Sequence, residues 1–150
     1  MSKIDMMKIG LGLVTHVEPI LKTIVKIRGE QKHGKPELLK LQNNFVAVYR
    51  EYFENESDAE AFSEFCTLVY AMKKDQLPPI HVLVVLFKAL LPIMQPKELQ
   101  GEQSHAKPEI KKVENDSKFK YGVILGEVFT NENDAKSHII ESQYIQSLRL

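Results

Sequence analysis

The chain has 150 residues, with 20 Lys plus Arg against 20 Asp plus Glu, so its formal net charge is zero. That balance supplies no long-range field to gather nucleic acid or an anionic membrane. A single cysteine, Cys66, excludes an intrachain disulfide and favours a reducing compartment.

The charge is unevenly spread. Residues 1–50 carry nine basic and four acidic side chains, and residues 51–76 carry two basic and seven acidic. Neighbouring helices with attractive solvated faces account for such a pattern, as does head-to-tail pairing of two chains. At the N-terminus, Asp5 and Lys8 interrupt the only candidate leader run. The expectation is a soluble, cytoplasmic protein.

In chain order, Ile4, Met7, Leu11, Val14, Leu21 and Val25 recur at three- and four-residue steps, which predicts a first helix bent at Pro19. GEQKHGK (29–35) reads as a polar connection closed by Pro36. From Pro36 to about Phe53, the spacing of Leu38, Leu41, Phe45, Val48 and Tyr52 predicts a second helix. Ser57 with Glu60 forms a capping box for a third helix running to about Lys74, with Cys66 on its apolar face beside Phe62, Phe65 and Val69.

Residues 80–94, IHVLVVLFKALLPIM, are apolar nearly all round, which predicts a fourth helix buried in the fold or covered by a partner. At fifteen residues it is too short to span a bilayer, which takes about 20. Residues 95–117 hold only Leu99, Ala106, Ile110 and Val113 as apolar anchors and read as a flexible polar linker. KFKYGVILGEVF (118–129) fits a strand by alternation and a helix by spacing. With no second strand evident to pair with, the reading leans to helix. A last helix runs from Asn133 to about Leu148, capped by Thr130 or Asn131.

The run Tyr121-Gly-Val-Ile-Leu-Gly-Glu-Val-Phe, followed by Asn133 and Ala135, resembles the opening strand–helix of sporulation-related peptidoglycan-binding domains. The likeness covers about a sixth of the chain, and no function is carried over from it. The expected fold is mainly α, a small bundle of five or six helices, with a strand–helix tail as the alternative at the C-terminus. The expected domains are a helical core (1–94), the linker (95–117) and a C-terminal tail (118–150).

Candidate chemistry is sparse. The five histidines never fall three or four apart, so no helix turn presents two imidazoles to a metal. Glu102 with His105, and His138 with Glu141, have the E-x-x-H type of spacing but no second copy with further carboxylates. No nucleophile elbow, phosphate loop or dinucleotide fingerprint is present. The acidic run from Glu51 to Glu64 reads as a solvated helix face. No catalytic, cofactor or metal residue is assigned.

The remaining signal is apolar surplus. On the 80–94 helix, Val84, Val85, Lys88 and Leu91 fall on the stripe furthest from the core and are the candidate partner contacts. The expected function is non-enzymatic binding of another protein, or of a second copy, as an adaptor, chaperone or inhibitor. One alternative is a regulatory nucleic-acid binder using the basic corner 22–35, with Lys26, Arg28, Lys32 and Lys35 on phosphates. Another is a helical enzyme whose site has no sequence pattern.

Overall fold

The computed structural model describes residues 22–23, 26–71 and 98–147. Its elements run β1 (Gln31–His33), β2 (Glu37–Leu41), β3 (Asn44–Phe53), α1 (Glu56–Ala71), β4 (Gln103–His105), β5 (Glu109–Lys112), β6 (Tyr121–Phe129) and α2 (Glu132–Ser147). Among the described residues this is a six-stranded antiparallel sheet with two helices, not the expected bundle of five or six. The all-α reading is therefore corrected.

Three segments carry the correction. The stretch 36–53, expected as a helix, is the β2–β3 hairpin, in which Leu41 pairs with Asn44 across the tight turn Gln42–Asn43. Gln42 sits at φ 51°, in the left-handed region that a helix interior cannot contain. Residues 118–129 include strand β6, which pairs along its whole length with β3 of the same chain, from Phe45 opposite Phe129 to Phe53 opposite Tyr121. The polar stretch expected to be a loop contains β4 and β5, both zipped to β6. The apolar segment 80–94 lies outside the described residues.

The described residues are built twice from one plan. Residues 29–38 (GEQKHGKPEL) and 101–110 (GEQSHAKPEI) match closely, as do 51–62 (EYFENESDAEAF) and 127–138 (EVFTNENDAKSH). Each copy gives two short strands on one edge of a long strand, then a helix. The long strands β3 and β6 lie side by side at the centre, related by a pseudo-twofold axis that passes between the paired residues Tyr49 and Leu125. Each helix spans both copies and leans towards the other: α1 packs most on β6, with β3 and β5 beside it, and α2 most on β3, with β6 and β2 beside it.

Strand alternation then divides the side chains between two faces. Ala47, Tyr49, Glu51 and Phe53 of β3, with Val123, Leu125, Glu127 and Phe129 of β6, form the inner face under the helices, and all are buried. Phe62, Phe65, Cys66 and Val69 of α1, and Ala135 and Ile145 of α2, close this core. The outer face is formed by the intervening residues, among them Arg50, Tyr52, Gly122 and Ile124.

Candidate functional site

Two carboxylates sit inside the core, and both are 0 % exposed: Glu51 and Glu127. They are equivalent residues of the two copies. His33 Nδ1 lies 2.6 Å from Glu51 Oε2, and Gln31 Nε2 donates to the same oxygen at 2.9 Å. In the second copy His105 Nδ1 lies 2.5 Å from Glu127 Oε2, and Gln103 Nε2 donates at 3.1 Å. Each histidine stands directly opposite its glutamate in the sheet ladder, His33 across from Glu51 and His105 across from Glu127. The ladder thus dictates the contact, because directly paired residues project to the same face.

Among the described residues, each cluster leaves one carboxylate oxygen, Oε1, buried without a hydrogen-bond partner. Burial pushes both carboxyls up from the usual glutamate range, while the histidine and glutamine pull them back only in part. The second cluster has an extra member. Tyr70 of α1 stacks on His105, with ring centroids 4.3 Å apart and planes 5° from parallel. Its hydroxyl approaches the Glu127 carboxylate without reaching hydrogen-bonding geometry. Three strand spacings across the sheet and four residues along it separate the two histidines by about 20 Å, so the clusters do not form one centre.

The helix starts are clamped in the same duplicated way. Asp58 accepts from the Arg28 and Gly29 N–H groups at 3.1 and 2.8 Å, and Asp134 accepts from Gln100 and Gly101 at 3.1 and 2.9 Å. Asn131 Oδ1 caps α2 by accepting from Asn133 and Asp134, in agreement with one of the two caps read from the sequence. These aspartates fix where each copy's first strand begins relative to its helix.

Burial pushes the Cys66 thiol well above its ordinary range, and the charges of Glu51 and Glu127 push it further, so it is a poor thiolate source. Among the described residues no group of three or more His, Cys, Asp or Glu is placed to hold a metal ion. His105 pairs with Glu127 rather than Glu102, and His138 hydrogen-bonds the Tyr49 hydroxyl inside the core.

The outer face carries a different feature. Arg50, Tyr52, Lys111, Lys112, Gly122 and Ile124, with Val113 as one wall, line an open recess of about 210 Å³. A Cβ on Gly122 would stand 3.2 Å from the Tyr52 ring, so glycine keeps the floor low. Arg50 is braced by Glu37 at 3.2 Å, while Lys111 and Lys112 are exposed. Lys32 reaches the same end of the sheet, opposite Tyr52, with its ammonium 5.9 Å from the Phe119 ring centroid. At the pseudo-equivalent place in the other copy stand Leu39, Lys40, Val46, Val48, Gly126 and Val128, so the basic recess belongs to one copy alone.

Of the sequence-predicted residues, Val84, Val85, Lys88 and Leu91 lie outside the described residues. The basic corner is not one patch. Lys26 lies in a turn, Arg28 in the segment held by Asp58, Lys35 in the break between β1 and β2, and Lys32 stands opposite Tyr52, beside the outer-face recess without lining it. The sequence reading missed both carboxylate clusters and the recess. The repeated G-E-Q-x-H-x-K-P-E was the available signal for the clusters. The recess gathers residues from β3, β5 and β6 and had no linear signature. No family model, curated protein or solved structure matches this chain. Among the described residues no helix is long and apolar enough to cross a membrane.

Proposed function

We propose that this is a non-enzymatic protein-binding protein whose acceptor surface is the outer-face recess, and that its partner presents an acidic segment with an aromatic or aliphatic side chain. The observation that carries this reading is the convergence of Arg50, Lys111 and Lys112 around a floor made by Tyr52, Gly122 and Ile124. An apolar floor with cations at its rim suits a side chain flanked by carboxylates. Guanidinium and ammonium groups hold the acids, and the ring and aliphatic atoms bury the rest.

A phosphate track suits the surface less well. Glu37 and Glu109 lie on the same face, paired with Val48 and Ile124, and interrupt any continuous positive stripe. The test is fluorescence anisotropy with a labelled octapeptide alternating Glu and Phe, against labelled oligo(dT) of equal charge. The peptide is expected to bind with an affinity that falls with salt. Lys111→Glu plus Lys112→Glu should weaken it at least tenfold, and Gly122→Val should weaken it without changing charge. Peptide binding indifferent to all three substitutions, or a preference for oligo(dT), would overturn the reading.

A further inference from the structure

Two histidine–carboxylate pairs at equivalent places call for an account beyond packing. A buried carboxylate costs several kcal/mol unless well paired, and replacing it by an apolar residue would remove that cost. The chain instead keeps the His, the Gln and the Glu in both copies, although the central strands around them have diverged from FVAVYREYF to YGVILGEVF.

Both pairs make the same connection. β1 and β4 are three residues long and stand at the outer edges of the sheet path β1-β3-β6-β4. Each is tied to its long neighbour by three ladder positions and by the side-chain bridge His33–Glu51 or His105–Glu127. The imidazoles are 36 % and 32 % exposed, so protons can reach them, while the carboxylates beneath are sealed. One proton between Nδ1 and Oε2 lets the pair be either an ion pair or two neutral groups, hydrogen-bonded in both cases. Losing that proton leaves an anionic carboxylate in the core whose compensation is reduced to dipoles.

Among the described residues, the groups that face the two carboxylates supply no further positive charge. Facing Glu51 are His33 and Gln31 from β1 and Cys66 from α1. Facing Glu127 are His105 and Gln103 from β4, Tyr70 and Cys66 from α1, and Tyr49 from β3. Burial raises all three of these neighbouring hydroxyl and thiol groups, so none becomes a counter-charge.

We infer that the two pairs are proton-dependent latches on the edge strands β1 and β4, closed while each pair holds one shared proton, and that the β1 latch also governs the recess. The link to the recess is local. His33 follows Lys32, and Lys32 pairs with Tyr52, which lines the recess; His105 lies about 20 Å away across the sheet. This last step rests on the recess being the acceptor surface, whereas the latches do not.

Amide hydrogen exchange on the full chain between pH 6 and 9, corrected for intrinsic rates, tests the latches directly. Opening of 31–33 and 103–105 is expected to rise with pH, by up to tenfold per unit while opening releases the one proton that the closed pair still holds, with β2 and β5 rising less. Glu51→Gln should flatten the response of 31–33 alone, and Glu127→Gln that of 103–105 alone. A sheet that loosens uniformly in the wild-type chain overturns the latch whether or not a variant folds. So does a β1 response that survives Glu51→Gln. With the Glu/Phe octapeptide as probe, wild-type affinity should fall over the same pH interval and Glu51→Gln should remove that fall. A fall that persists in Glu51→Gln, or none in the wild type, refutes the coupling to the recess and leaves the exchange result to judge the latches. Absence of any peptide binding refutes the acceptor reading instead.

Discussion

At the residue scale the buried glutamates set how stability responds to pH. Their carboxyls are raised in the fold, first by burial, above the value they take in the unfolded chain. The folded state therefore holds protons that the unfolded state has released. The favourable contribution is complete below the ordinary glutamate range and is lost as pH rises through the folded values. Urea unfolding from pH 5 to 9 should show wild-type stability declining more steeply than that of Glu51→Gln plus Glu127→Gln, which has no carboxyl to titrate there. Equal slopes would mean that the histidines compensate the buried charge fully. Removing the imidazole instead, as His105→Ala, leaves the sealed carboxylate with Gln103 as its remaining close donor and strips the stack from Tyr70. That change should destabilise more than the glutamine substitution does.

At the scale of elements, the helices were legible and most strands were not, for a physical reason. Both described helices carry local start signals in the sequence, although α1 begins at Glu56 after Asn55, so the Ser57–Glu60 box read from the sequence lies inside its first turn; α2 begins after Asn131. Asp58 goes further, fastening α1 to the approach of β1 through two backbone donors thirty residues upstream. Asp58→Ala should cost about 3 kcal/mol, since hydrogen bonds to a charged acceptor contribute about 1.5–3 each; a loss below 1 kcal/mol by thermal or urea unfolding would show the clamp to be ornamental. Strands β2 and β3 misled because Leu38, Leu41, Phe45 and Val48 happen to fall at helical steps across a turn. In β3 both faces are substantially buried, which erases the period-two alternation of a half-exposed strand. Gln42-Asn43-Asn44 was the turn signal, and the aromatic and β-branched content of 45–53 was the strand signal. For β6 the missing piece was its partner: a strand needs a neighbour, and the neighbour is the matching strand β3 of the same chain.

At the scale of the whole molecule, the duplication explains why a neutral chain of ordinary composition builds this sheet and why only one end of it became basic. The copies differ most in the hairpin between edge and centre. In the first, Leu41 meets Asn44 over two residues; in the second, the Val113 N–H donates to Lys120 O at the equivalent rung, over the six residues 114–119. The longer connection is ordered by Asp116, which accepts from the Lys118 and Phe119 N–H groups at 2.8 and 2.9 Å, and it places Phe119 beside Lys32. If the two copies are interchangeable frameworks, residues 114–119 can be replaced by a two-residue turn without loss of the fold. Gly-Asn is the appropriate choice, because the first copy uses a positive φ at the first turn position. Shortening the loop from six residues to two recovers about 1 kcal/mol of closure entropy, against the loss of exposed ion pairs from Lys118 to Glu30 and Glu54 that contribute little. The shortened chain should therefore unfold cooperatively within about 1 kcal/mol of the wild type, while its affinity for the Glu/Phe octapeptide drops because Lys32 has lost the ring that orients it. Retained affinity would remove Lys32 and Phe119 from the acceptor surface. A chain that no longer folds would mean that the inserted loop, rather than the repeated framework, specifies the second half.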